Sequence, residues 1–436
     1  MAPSTQTERT EPLRRQLSVL ALWLLMINGM IGAGIFGVPA AAERLAGDFS
    51  PWIFVLCALL IAPIMLCFVE LSSAVRGTGG PLLYTQIAFG RMVSFQAGWA
   101  YYVARVTSFA ANLSLLVASL GYFWPAANHA YVRLGLLFVL SVLLVWVNVV
   151  GARTAMRSLG GFTVIKLLPL IALAGYGLTQ IDASSLSSAA ALPAGSDLGA
   201  ALLLVIYAYV GFESGLVPAG ESKNPQRDMP RALLAALAVC ALSYALIQLA
   251  AQRLLPDLVN TERALVAAGQ AWLGTWGAGL VMLALIASVT GNLLGSMFST
   301  ARMSYRLGLE RQLPAWFARV HERFQTPANS VVFYGLLAFA LAASGSFVWL
   351  AVLSVLIRLA LYLLCIAAMP RVRRFAAEDP EFRALPGASF VALLAVLVCL
   401  GLLTQVKLAS VLASLGLLAA GTVLYLIANR GQPATP

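Results

Sequence analysis

Two stretches of otherwise apolar chain hold the residues best placed to do chemistry. The first reads Met26-Ile-Asn-Gly29-Met-Ile-Gly32-Ala-Gly34-Ile-Phe-Gly37-Val-Pro39. Four glycines and a proline in one apolar helix work against its continuity. Close packing of small residues at four-residue spacing accounts for Gly29 or Gly37. It accounts less well for the tight Gly32-Ala33-Gly34 run, which reads as an unwound segment. The second stretch, Tyr207-Ala-Tyr209-Val-Gly211-Phe-Glu213-Ser-Gly215-Leu-Val-Pro218, mixes glycines, a carboxylate and a proline. Gly32 and Gly211 are 179 positions apart, and so are Pro39 and Pro218; the same offset aligns Val38-Pro39-Ala40 with Val217-Pro218-Ala219. Unwound backbone inside a bilayer must line a polar cavity, or its amides go unsatisfied. The half-helix starting at Gly34 turns free N–H groups to the gap and attracts an anion. The half-helix ending near Tyr207 to Val210 turns free C=O groups to it and attracts a cation. An anion hole beside a cation cradle suits a zwitterion, and a free α-amino acid is the simplest such molecule.

Five further charges sit inside apolar stretches: Glu70, Arg105, Lys166, Glu213 and Arg358. Ionisable groups are expensive in a bilayer, so each is a functional candidate. Lys166 lies about two turns from the nearest helix end, which is far for snorkelling. Glu213 follows the second break directly and either takes part in coupling or gating or accepts hydrogen bonds from the unwound amides. Glu70, near a helix end, reads as the partner of a loop cation. Arg105 stands seven residues before Asn112, two turns along a similar face. Arg105 and Arg358 are each either a counter-ion for Glu213 or Glu70 or a cavity cation for an acidic substrate side chain. Three cations against two acids leave a surplus that repels basic substrates and polyamines. The expectation is therefore a neutral or acidic amino acid, with Arg105 and Arg358 as candidate specificity residues.

The elements that must hold these groups follow from composition. Of 436 residues, 61% are hydrophobic and 10% charged, against about 25% charged in soluble domains. Mean hydropathy is +0.87. A soluble surface cannot carry that much apolar side chain, so the fold class is all-α and polytopic in a membrane. The net charge of +11 lies in short clusters between apolar runs, as membrane topology demands, and does not indicate nucleic acid. The cysteines Cys57, Cys67, Cys240, Cys365 and Cys399 all fall in apolar runs, without metal or disulfide spacing. No metal and no cofactor is expected. The first apolar run exceeds a signal peptide's core and lacks a clean cleavage site, so nothing need be removed.

Spanning takes roughly 17–25 helical residues. Twelve stretches qualify: 17–42, 52–75, 92–123, 132–150, 158–180, 197–220, 230–252, 272–301, 330–344, 347–369, 387–406 and 408–428. With a cytoplasmic N-terminus, 20 of the 28 Lys and Arg residues fall in inner segments and 5 in outer ones, Arg44, Arg133, Arg253, Arg263 and Lys407. That asymmetry places both termini in the cytoplasm. The polar tails, 1–16 and 429–436, are too short to be domains. Compact loops and short tails suit a bacterial inner-membrane protein, multi-pass in the plasma membrane.

The chain resembles the amino acid–polyamine–organocation transporters. The resemblance rests on Gly29-Met-Ile-Gly-Ala-Gly-Ile-Phe36, on Tyr207-Ala-Tyr-Val-Gly-Phe-Glu213 and on Glu221-Ser-Lys-Asn-Pro-Gln-Arg-Asp-Met-Pro-Arg231. A fourth stretch runs from Arg302 through Leu313-Pro314 to Thr326-Pro327. It implies a leucine-transporter-like fold of 12 transmembrane helices: inverted repeats over 17–180 and 181–370, broken near 31–35 and 209–215, with two extra helices at 371–428. It implies that the substrate carboxylate meets the amides of Gly32, Ala33 and Gly34, flanked by Ile31. The ammonium would meet carbonyls of Tyr207, Ala208 and Val210, beside Gly211. Tyr209 would either gate the site or pack, and Asn112 would either read the side chain or bond a neighbouring helix. The family's lysine at this point of the fifth span implies that Lys166 stands where sodium sits in sodium-coupled relatives and bridges that span to the first break. A lysine held out of water can also trade its proton, a separate and weaker role.

The function expected is secondary transport of amino acids by alternating access, sodium-independent, as proton symporter or exchanger. Substrate and lipid are the expected partners, in a monomer or homodimer. An embedded enzyme would need clustered acid–base or metal groups, and the only histidines, His129 and His321, lie in loops on opposite sides. A channel would show charged rings or a repeated filter. A non-transporting amino-acid sensor on the same fold would bring a signalling domain.

Overall fold

The computed structural model describes residues 18–75, 80–150, 159–180, 195–213, 225–377, 379, 382 and 384–429. The first tail, residues 430–436 of the second, the Val217-Pro218-Ala219 match and residues 221–224 of the third resembling stretch lie outside these residues. All regular structure among the described residues is helical. The first apolar stretch forms α1 (Val19–Met30), a one-turn α2 (Gly34–Gly37) and α3 (Pro39–Ala46), with bends at 31–33 separating the first two. Then follow α4 (Ser50–Ala74), α5 (Pro81–Phe89), α6 (Arg91–Leu120), α7 (Ala130–Val150) and α8 (Leu159–Leu178). The second half holds α9 (Leu198–Val205), α10 (Pro225–Leu254), α11 (Ala264–Leu309), α12 (Ala328–Ser344), α13 (Phe347–Ala376), α14 (Ala388–Leu403) and α15 (Leu408–Asn429).

Local chemistry sets several ends. Pro51 sits in the first turn of α4, where its missing N–H costs nothing. The Asp197 carboxylate accepts from the Ala200 amide at 2.9 Å and caps α9. Ser346 caps α13 by accepting from the Trp349 amide at 3.3 Å. Two features depart from the sequence reading. The stretch Pro81–Phe89, which falls between the second and third expected spans, is the helix α5. The eighth span, expected to begin at 272, is preceded by a helix and starts after a break at Leu273 and Gly274, where Gly274 takes φ +59°.

Among the described residues, seven helices are long and apolar enough to cross a membrane, and five shorter apolar helices fall at the other expected spans. The outward faces are apolar: Phe138, Val139 and Trp146 on α7 and Leu412, Leu415 and Leu426 on α15 are exposed. Apolar faces of that extent belong against lipid. The core lies between α4, α6, α10, α11 and α13 around the broken segments. Packing pairs come in couples related by a step of five spans. Helix α6 packs on α13 as α8 packs on α11, and α1 on α10 as α9 on α4. Likewise α8 meets α10 as α13 meets α4, while α4–α10, α6–α11 and α7–α12 are their own counterparts.

Candidate functional site

At the first break the chain leaves the helix after Met30. The Gly32 amide folds back onto the Met30 carbonyl at 2.9 Å, so it is not free, contrary to the expected three-amide anion hole. The Ala33 and Gly34 amides bond no carbonyl or side chain among the described residues and stand at the start of α2. The carbonyls of the unwound turn are held from two sides. Lys166 Nζ donates to the Ile31 carbonyl at 2.8 Å and to Asn28 Oδ1 at 2.5 Å. Ser288 of α11 donates to the Ile31 and Gly32 carbonyls at 3.0 Å each. Lys166 is fully buried, so its ammonium is stabilised by these two acceptors, the Ile31 carbonyl and Asn28 Oδ1, and not by water.

At the second break α9 tightens into a 3-10 turn, Ile206–Ala208, and Gly211 adopts φ +107°, a conformation that glycine alone takes without strain. A side chain there would also run into the Gly29 carbonyl. The two breaks therefore touch: Gly211 lies against Gly29, and a Cβ on Gly34 would stand 2.8 Å from Ala208 Cα. The Ala208 carbonyl accepts from Tyr244 at 3.2 Å, which leaves the Tyr207 and Val210 carbonyls without donors among the described residues.

Between the breaks lies a cavity of about 20 Å³, room for one water molecule. Its walls include Gly32, Ala33, Gly34, Val210 and Gly211 from the breaks and Arg105, Ser108 and Asn112 from α6. Tyr207, Asn292 and Arg358 complete it. Tyr207 donates to Asn112 Oδ1 at 2.7 Å, and Asn112 donates to Asn292 Oδ1 at 2.9 Å, tying α6, α9 and α11 together over the gap. On one side, the Phe347 ring meets Tyr207 edge-on at 5.7 Å. On the other, Arg358 pairs with Glu213 at 3.3 Å, both almost wholly buried, and Tyr362 donates to the same carboxylate. Glu213 Oε2 also takes the Gly211 amide at 2.8 Å.

The structure brings most of the expected groups together and separates a few. Arg358 is the counter-ion of Glu213; Arg105 is not, and Glu70 pairs with Arg373 at the end of α13. Tyr209 does not line the cavity: its hydroxyl bonds the Phe54 carbonyl at 2.8 Å and its ring leans on Tyr244. The aromatic at the cavity is Tyr207, with Phe347 behind it. Ser288, Asn292, Phe347 and Tyr362 were not expected. Only Asn292 carried a signal, standing 180 positions after Asn112, close to the offset that relates the two breaks.

The amino acid permease family matches residues 17–427. The chain belongs to this family. It is 24% identical to the branched-chain amino acid permease BcaP of Bacillus subtilis, over 97% of this chain and 95% of that protein. The serine/threonine exchanger SteT of the same organism is 26% identical over 88% and 89%. An uncharacterized transporter of Mycobacterium tuberculosis, Rv1999c, is 29% identical over 77% and 75%. This permease-family chain is a multi-pass plasma-membrane protein, and transport of amino acids is the activity its relatives' names carry.

Proposed function

We propose that the protein is a secondary active transporter of neutral or acidic amino acids that works by alternating access without sodium, as a proton symporter or an exchanger. The observation that carries this reading is the meeting of two interrupted helices at one closed cavity. Among the described residues, one break offers the Ala33 and Gly34 amides without acceptors, and the other offers the Tyr207 and Val210 carbonyls without donors. A carboxylate is favoured at the first and an ammonium at the second. We further propose twelve spans in two inverted five-helix repeats, 17–180 and 181–370, followed by two helices, with both ends cytoplasmic. The packing couples related by five spans support this reading. Lys166 holds the first break where a sodium ion would otherwise be needed, since its ammonium already engages the Ile31 carbonyl and Asn28.

The cavity is too small for an amino acid in this conformation, so substrate enters when the helices part on one face. The Tyr207–Phe347 contact closes one path, and the Arg358–Glu213–Tyr362 cluster closes the other. These stand at different heights along α13, with Phe347 about 16 Å from Arg358 by helical rise. Opening one while the other holds is what alternating access requires. The test is thermal unfolding of the purified protein with each of the twenty amino acids, with polyamines as controls. A ligand that binds only the folded state raises the apparent stability. A raised midpoint with a few amino acids is expected; no rise with any of them, from folded protein, overturns the reading.

A further inference from the structure

Resting on the amino-acid reading above, we infer that the substrate carries an anionic side chain, and that Arg105 is the residue that receives it. The cavity wall holds two guanidinium groups, Arg105 and Arg358, and the Glu213 carboxylate stands against the second of them. Arg358 is answered: it pairs with Glu213 and donates to the Ala104 carbonyl at 3.1 Å and to Ser108 Oγ at 3.3 Å. Arg105 is unanswered. It is 6% exposed, its Nε is buried without a hydrogen-bond partner, and no carboxylate among the described residues pairs with it. An isolated buried charge is among the costliest features a membrane protein can keep. Glu213 is engaged by Arg358, Tyr362 and the Gly211 amide. With Glu213 set against Arg358, the Arg105 guanidinium stands at the wall with no carboxylate within ion-pair distance among the described residues.

The position of that charge fits a second carboxylate. Arg105, Ser108 and Asn112 follow one another along one face of α6 and all line the cavity. Asn112 lies beside Gly32, at the level of the first break. Arg105 is seven residues away, about 10 Å along the helix. A substrate with its α-carboxylate at Ala33 and Gly34 thus extends its side chain toward Arg105. A basic side chain or a polyamine would meet like charge there.

A second cavity supports the same sign of substrate. It measures about 540 Å³ and opens behind Phe347, which lines it and also packs on Tyr207 of the central cavity. Arg44, Arg133 and Arg263 line it, against Glu262 alone. Each arginine is oriented by a neutral acceptor: Arg44 by the Val259 carbonyl at 2.7 Å, Arg133 by Ser114 Oγ at 2.9 Å, and Arg263 by the Ala118 carbonyl at 2.8 Å. Arg263 also stands 4.0 Å from the exposed Glu262 carboxylate, so the charges of Arg44 and Arg133 are the ones left available, and a low-dielectric cleft of one sign concentrates the opposite ion. The vestibule gathers an anion, Phe347 admits it, and Arg105 receives its side chain.

The experiment measures affinities of the full-length protein for L-aspartate, L-glutamate, L-asparagine, L-glutamine and L-alanine by titration calorimetry. Each acid is expected to bind at least about tenfold more tightly than its amide, the discrimination a dedicated charged partner supplies. In Arg105→Gln the acid-to-amide ratio is expected to fall to within about threefold of one. Should that variant not fold, Arg105→Lys replaces it, and a reduced ratio is expected because an ammonium cannot grip a carboxylate with two parallel bonds. Amides that bind as tightly as acids overturn the inference while leaving an amino-acid site in place, as does an unchanged ratio in the Arg105 variant. Absence of binding by all five, from folded protein, overturns the amino-acid reading itself.

Discussion

Replacing Gly34 with alanine tests how closely the two breaks must approach. The added Cβ would stand 2.8 Å from Ala208 Cα, 3.0 Å from Ala208 Cβ and 3.4 Å from Ala208 N. Carbon atoms rest at about 3.5–4.0 Å, so the two segments must separate by roughly 1 Å. The obstacle is backbone, which cannot turn aside as a side-chain tip can. Overpacking of this kind costs about 1–3 kcal/mol. The cost falls on the closed conformation, which holds the Ala33 and Gly34 amides against the Tyr207 and Val210 carbonyls. Apparent affinity should therefore drop by about 5- to 150-fold. Gly32→Ala is the control, because the nearest neighbours of its Cβ would be the Asn292 side chain at 3.4 Å and Asn112 at 3.6 Å, ordinary contacts. Its affinity is expected to stay within about threefold of the parent. The assay is ligand-dependent thermal stabilisation followed by titration calorimetry on both variants. Equal affinity in parent and Gly34→Ala, or a greater loss in Gly32→Ala, refutes the reasoning.

Glu213→Gln leaves Arg358 charged and buried, and is expected to destabilise the fold by about 3–5 kcal/mol. The double variant with Arg358→Met should recover most of that loss in thermal unfolding, and no recovery would mean that the pair is not the source. Lys166→Met removes a donor from the Ile31 carbonyl and orphans Asn28 Oδ1, a cost of about 1–3 kcal/mol. Uptake should fall with it, whereas uptake by the parent should be the same in sodium and in choline buffers; sodium stimulation of the parent would remove the role given to Lys166. Phe347→Ala should open the path between vestibule and cavity, so that a cysteine placed at Ser108 reacts faster with a membrane-impermeant thiol reagent. An unchanged labelling rate would show that the Phe347 ring is not the barrier.

The places where the helices break were legible because glycine runs have no reason to exist in a lipid-embedded helix unless the backbone does something other than spiral. Gly32-Ala33-Gly34 and Gly211 stood out for that reason. Lys166, Glu213, Arg105 and Arg358 were visible because charge is rare and expensive in an apolar run. Pairing was not visible: whether Arg105 or Arg358 answers Glu213 depends on which face of α6 and α13 turns inward, and the apolar pattern leaves both faces nearly alike. Ser288 gave no signal, since small polar residues are common between packed membrane helices, and Asn292 gave only its spacing from Asn112. Tyr207 and Tyr209 lie two residues apart in a turn whose local geometry decides which one faces the cavity. The helix at Pro81–Phe89 was hidden by its shortness, and the break at Leu273–Gly274 by the apolar sequence continuing through it.

The most direct measurement is counterflow of labelled amino acid into proteoliposomes loaded with the same amino acid unlabelled. The candidate site predicts saturable accumulation that is insensitive to sodium, is competed by other amino acids with an acidic side chain, and is strongly reduced in Gly34→Ala. Flux that does not saturate, or that Gly34→Ala leaves untouched in correctly folded protein, would contradict a transport site at the meeting of the two broken helices.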